Sequence, residues 1–275
     1  MIISSLWDAW IGRTSTSTAQ LHAEQANLMA VTLDRTPGFQ PGDVLPPGWH
    51  WLYFPDLVKA SDLGADGHPR LGLFLPPLPL PHRMWAGGSL EFRAPLRLGA
   101  TVERTSVIRA ITPKQGRSGA LYFVDVEHTL RTATVVHLAE EQTLVYRALA
   151  PESVPRPQAA PTGADYAQAY TLDRIALFRY SALTFNGHRI HYDVDYCRTV
   201  EGYPDVVVHG PLIATLLLDL YARQGRPLTR FRYRATRPLF LPHAFTVSGK
   251  TAPGGASLWA SNHEGALAME AEAFR

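Results

Sequence analysis

The sequence predicts an α+β protein of two similarly ordered halves, on three observations. Residues 148–164 are rich in Pro, Ala and small polar residues and have no apolar periodicity, which is linker composition. The segments on either side, 1–147 and 165–275, are each of single-domain size. In both segments a helical candidate precedes a series of runs in which apolar and polar residues alternate, as in half-buried antiparallel strands.

In order along the chain, Thr18–Leu33 is the first helical candidate, with Leu21, Leu28 and Met29 at helical spacing. Residues 36–82 are crowded with Pro and Gly and are expected to form a long irregular excursion; loops of that length are uncommon unless functional. Strands are expected at Gly88–Phe92, Thr101–Ile111, Leu121–Arg131 and Ala133–Tyr146. In the second half a strand is expected at Ala176–Leu183, then a polar loop, then a helix over Pro211–Gln224. Leu212, Ile213, Leu216, Leu217 and Leu220 give this helix one broad apolar stripe, the mark of a helix largely wrapped by a sheet. Pro211 suits its first position and Gly225 its stop. Strands are expected at Thr229–Thr236, Ala244–Thr251 and Leu258–Phe274, the last with an internal turn.

The chain has 275 residues, 46% hydrophobic and 18% charged, with a net charge of +2 spread along its length. No basic run marks a nucleic-acid partner; Arg230-Phe231-Arg232-Tyr233-Arg234 alternates as a strand with one apolar face does. The single cysteine, Cys197, excludes an intrachain disulfide and has no nucleophile motif around it. The first residues make a poor signal peptide, having no basic n-region and Asp8 early. No apolar run reaches the ~20 residues that span a bilayer. A cytoplasmic protein with neither a nucleic-acid nor a membrane partner is expected.

The chemistry concentrates in residues 178–193 and 206–211. Asn186, His188, His191 and Asp193 fall within eight residues, and Gly210-Pro211 opens the apolar helix. His191 is the first candidate for proton transfer, since an imidazole titrates near neutral pH; it could also merely tie down a loop. Asn186 could orient water or a carbonyl through its amide, or be a turn residue. His188 is a second polar contact or a surface residue, and Asp193 sets a histidine tautomer or caps a helix. Gly210 could offer its N–H, at a helix start that carries partial positive charge, to a developing enolate oxygen. Upstream, Arg83 could pair with a carboxylate or phosphate, and Trp85 could cover an adenine or an acyl chain or pack in the core.

These motifs resemble the double hotdog acyl-thioester hydratases and dehydratases related to the MaoC-like (R)-specific enoyl-CoA hydratases. Asn186-Gly187-His188-Arg189-Ile190-His191 is similar to that family's Asp-x-Asn-x-x-His loop, and His209-Gly210 to its His-Gly dipeptide. The resemblance implies that His191 is the catalytic histidine and Gly210 the oxyanion glycine. The family's aspartate is Asn186 here and its asparagine is His188; an amide cannot take up a proton as a carboxylate does. Phe-Asn-x-His-Arg-Ile-His-Tyr-Asp, together with Arg-Met-Trp-Ala-Gly-Gly upstream, is similar to a narrower branch. That branch holds mitochondrial-type 3-hydroxyacyl-thioester dehydratases, mesaconyl-C4-CoA hydratases and itaconyl-CoA hydratases.

The resemblance implies two hotdog domains, each a long helix embraced by a curved antiparallel sheet. The N-terminal one (1–147) shapes the acyl pocket, 148–164 is the linker, and the C-terminal one (165–275) holds the catalytic loop. The expected reaction is reversible hydration of an α,β-unsaturated acyl-CoA, with itaconyl- or mesaconyl-CoA going to citramalyl-CoA. Arg83, Trp85 and His188 are the expected substrate contacts. No cofactor or metal is expected, and a homo-oligomer is possible. The competing readings are a dehydratase of longer 3-hydroxyacyl thioesters, on CoA or acyl carrier protein, and an acyl-thioester-binding hotdog protein without turnover.

Overall fold

A computed structural model describes residues 6–116, 119–148 and 157–275. Residues 149–156 of the expected linker lie outside the described residues. The first half contributes β1 (Thr14–Gln20), α1 (Ala23–Thr32), β2 (His82–Phe92), β3 (Thr101–Gly116), β4 (Gly119–Arg131) and β5 (Val136–Arg147). The second contributes β6 (Tyr166–Tyr170), α2 (Arg174–Thr184), the single turn α3 (Val194–Tyr196), α4 (Gly210–Ala222), β7 (Arg230–Ala235), β8 (Phe245–Ala252), β9 (Gly255–Asn262) and β10 (Leu267–Phe274).

All ten strands form one antiparallel sheet in the order β1-β3-β4-β5-β2-β7-β10-β9-β8-β6. Read inward from either edge, the two halves have the same order, β1-β3-β4-β5-β2 and β6-β8-β9-β10-β7, so the repeat of elements is a repeat of topology. The seam is the pairing of β2 with β7, from Gly87↔Arg234 to Glu91↔Arg230. The alternating Arg230–Arg234 stretch is therefore a central strand, with Phe231 and Tyr233 buried.

Two expected elements differ. Thr18–Gln20 ends strand β1 instead of opening the helix, because this Thr/Ser-rich segment pairs with β3 from Thr14↔Val107 to Gln20↔Thr101. Ala176–Leu183 is not a strand but lies inside α2, whose N-terminus is capped by Asp173: its Oδ1 accepts the Ala176 N–H at 2.8 Å. A short apolar run cannot be assigned by periodicity alone, and the cap decides it.

α4 carries the core. All ten residues from Leu212 to Tyr221 are buried, and the helix lies against β7–β10 as its broad stripe predicts. Its one buried carboxylate, Asp219, is paired with Arg35 at 2.7 Å. In the first half only Ala26, Met29 and Ala30 of α1 are buried. Between α1 and β2 the chain makes the expected irregular excursion, anchored by Trp49, Leu52, Tyr53 and Phe54 in the same core cluster as α4. No described helix is long and apolar enough to cross a membrane.

Candidate active site

The catalytic-loop candidate starts where α2 stops. Phe185 takes a left-handed conformation (φ 51°), and the Asn186 N–H donates to Ser181 O at 2.8 Å. Asn186 Oδ1 then accepts the His188 N–H at 3.0 Å, the side-chain turn that Asn favours. Residues 189–191 make a 3-10 turn. Asp193 caps α3, accepting the Tyr196 N–H at 2.9 Å, and pairs with Arg189 at 2.7 Å. Of its two readings, Asp193 is therefore the helix cap. Cys197 is buried, its thiol is pushed up to about 11 by burial, and it donates to Ile190 O.

His191 and Gly210, close in sequence, are joined in space through Val207. The Val207 N–H donates to Ile190 O at 2.8 Å, and Val207 O accepts from His191 Nδ1 at 2.8 Å. A carbonyl only accepts, so Nδ1 carries the proton and Nε2 presents a lone pair. Burial drives the His191 pKa down to about 4, partly offset by the Val207 carbonyl, so the ring is neutral at physiological pH. On one side it stacks on His209 (ring centroids 3.6 Å apart, planes 18° apart). His209 in turn is hydrogen-bonded through Nε2 to Ser181 Oγ at 2.8 Å. The next residue, Gly210, opens α4 and stands at its first turn, where N–H groups lack intrahelical acceptors.

Trp85 explains why position 210 is glycine. A Cβ there would lie 2.8 Å from the Trp85 ring. That ring is held by stacking on Tyr233 (4.3 Å, 17°) and by an edge contact with Trp51 (5.7 Å). It also sits where β2 has an irregularity between Trp85 and Gly87, a device that re-aims side chains beside active sites.

His191, Asn186, Gly210, Arg83, Trp85 and His188 all line one cavity of about 470 Å³. His188 is buried, with its pKa driven far down by burial first and then by His68, His191 and Arg83. Arg83, opposite Tyr146 on β5, makes no ion pair among the described residues. The described cavity wall includes four arginines (Arg70, Arg83, Arg104, Arg237) against one carboxylate, Asp56, so it suits an anionic ligand.

Sequence reasoning missed two groups here. His209 was part of the dipeptide, but its stacking role needs the fold. Asp66 and His68, from the irregular excursion, reach the candidate loop at residues 186–193, and no local motif announces them. Asp66 O accepts the Arg189 N–H at 2.9 Å, and Ala65 O accepts from Arg189 Nη1 at 3.1 Å. Gly67 (φ 88°) lies so close to the Gly187 carbonyl that a Cβ would collide with it. His68 Nδ1 is hydrogen-bonded to Asp66 Oδ2 at 3.0 Å, and its ring is 4.0 Å from that of His188. Donor atoms of Asp66, His68 and His188 lie within 4.8 Å of one another. Two of the three residues are already hydrogen-bonded together, and the Arg83 cation acts on both histidines. This is a poor setting for a metal cation.

Residues 48–241 match the family model described as hydroxyacyl-thioester dehydratase type 2. The chain belongs to this family. It is 43% identical over 272 residues to the mesaconyl-C(4)-CoA hydratase of Chloroflexus aurantiacus, with 98% of this chain and 97% of that protein covered. It is 28% identical over 233 residues to the mitochondrial hydroxyacyl-thioester dehydratase type 2 of Schizosaccharomyces pombe, covering 72% and 75%. A MaoC-like dehydratase from Phytophthora capsici superposes with a TM-score of 0.70 at 13% identity, covering 99% of this chain and 97% of that one. That likeness shows the fold, the double hotdog. As a member of the type 2 dehydratase family, whose relatives are named hydratases and dehydratases, the chain is an enzyme of the hydro-lyase type.

Proposed function

We propose that this enzyme reversibly adds water across the double bond of an α,β-unsaturated acyl-CoA. We propose further that its substrate is a short branched dicarboxylic monothioester, itaconyl- or mesaconyl-CoA, hydrated to citramalyl-CoA. One observation carries the reading: the His191 ring, with its Nε2 lone pair, and the first residue of α4 border the same arginine-lined cavity. In the hydration direction His191 Nε2 takes a proton from water as the oxygen bonds to Cβ. The electron pair of the double bond moves to the thioester oxygen, where the Gly210 N–H stabilises the enolate. His191 then returns the proton to Cα, leaving the histidine neutral. Such a base needs a lone pair at working pH, and a buried, neutral imidazole supplies it.

The dicarboxylate reading is supported by Arg83, a guanidinium on the cavity wall without a carboxylate partner among the described residues, and by the name of the Chloroflexus relative. A second reading, the dehydration of longer 3-hydroxyacyl thioesters, is favoured by the apolar wall Leu73, Phe74 and Leu75. Loss of enoyl-thioester absorbance across mesaconyl-, itaconyl-, crotonyl- and long-chain enoyl-CoA decides between them. Preference for a dicarboxylic thioester is expected. Preference for long unbranched chains would promote the second reading, and no turnover on any member would leave a binding protein.

A further inference from the structure

We infer that His68, oriented by Asp66, is a second catalytic residue of this site and holds the attacking water together with His191. The inference rests on the hydratase reading. A water molecule that adds to a double bond directs one lone pair at carbon and needs acceptors for its two hydrogens. His191 Nε2 is one. Asn186 Oδ1 already gives one of its two lone pairs to the His188 N–H at 3.0 Å, which fixes its direction and leaves a single lone pair.

His68 meets the requirements. It lines the same cavity as His191, and the His188 ring stands in contact with both, at 4.0 Å from His68 and 5.4 Å from His191. A carboxylate only accepts, so the 3.0 Å contact with Asp66 puts the His68 proton on Nδ1 and leaves Nε2 with a lone pair. Burial first, and then the Arg83 cation, push the pKa of the ring well below the ordinary value. The segment is also fixed to the catalytic loop. Both the backbone and the guanidinium of Arg189 donate to carbonyls of residues 65 and 66, and Gly67 packs on the Gly187 carbonyl with no room for a side chain.

In the reaction the O–H bond that breaks is the one directed at His191, which takes the proton and passes it to Cα. The second hydrogen stays on the new hydroxyl and is held by His68 Nε2, so no net proton is left on either ring. Asp66 acts through His68 as a positioning residue that fixes its tautomer.

The test measures kcat and KM of the full-length enzyme on whichever enoyl-CoA the wild type hydrates fastest. His68→Ala and His68→Gln should lower kcat by about 10²-fold, the cost of a misplaced reacting group, with KM changed far less and the melting transition kept. Free imidazole should restore part of the turnover of His68→Ala but not of His68→Gln. Asp66→Asn should lower kcat less than either, with KM kept. Wild-type kcat in His68→Ala would overturn the assignment, as would a rise in KM matching the whole loss. Unfolding of both variants would make the ring a structural strut and overturn it as well. Loss of wild-type activity to a chelator, restored by zinc, would replace it with a metal site. A wild type inert toward every enoyl-CoA would remove the hydratase reading itself, which separates that failure from this one.

Discussion

The two halves share a strand order but fill it differently. In the second half α4 places ten consecutive buried residues against the sheet. In the first half the corresponding connection, between α1 and β2, is an irregular excursion instead of a long apolar helix. A continuous helix satisfies its own backbone and leaves little space, whereas an irregular segment needs side chains to hold it and leaves room. The holding group is Glu140 on β5. It is buried, accepts from Trp51 Nε1 at 2.9 Å and pairs with His50 at 3.0 Å. One half thus holds the helix start that the proposed mechanism uses for charge stabilisation, and the other supplies cavity wall and, through residues 66–68, polar groups.

The largest effect that would break this comparison is expected from the second half. His191→Ala should lower turnover by about 10²–10⁴-fold with the fold intact by circular dichroism. Near wild-type turnover would remove the division of labour altogether.

Glu140→Ala should break the anchor of the first half. Removing one partner of a buried pair costs about 3–5 kcal/mol, read as a lower denaturant midpoint. The same group gives a pH signature. Burial would raise its pKa, but hydrogen bonding and the charge of His50 overcome this, and it falls from 4.5 to about 2. A depressed carboxylate stabilises the fold fully above its unfolded pKa. That contribution is lost as pH falls from about 4.5 towards about 2. Urea titrations across this window should show a loss that Glu140→Gln lacks.

Arg83→Ala sharpens the comparison by testing whether the first half chooses the substrate. A lost charge-assisted pair should cost about 1.5–3 kcal/mol in kcat/KM for itaconyl- or mesaconyl-CoA, with crotonyl-CoA nearly unchanged. Equal losses on both would assign Arg83 to the CoA phosphates or to the fold.

The smallest effect is expected at Asn186. Because its Oδ1 holds the turn through the His188 N–H, Asn186→Ala should cost about 0.5–1.5 kcal/mol of stability, while Asn186→Asp keeps the acceptor and most of the activity. If Asn186→Ala lowers kcat well beyond its effect on KM and stability, the amide also meets water or substrate.

The sequence by itself determined α4, because an unbroken apolar run between Pro211 and Gly225 has few other ways to bury itself. It also determined the long strands of both halves, whose alternation leaves one face to the core; the pairing of the His191 loop with Gly210 is implied by the resemblance of their motifs to those of the hotdog hydratases. Periodicity did not decide α2, where a short apolar run fits helix and strand alike; the Asp173 cap, a local signal of another kind, settles it. Nor did periodicity decide Thr18–Gln20, whose strand exists through its pairing with β3. The arrival of Asp66 and His68 beside His191 is wholly tertiary. These residues stand more than a hundred positions upstream in a segment without periodicity, and contacts with the backbone of residues 187–189 bring them there. Periodicity reports which face a residue buries; it carries no information on which distant loop that face will meet.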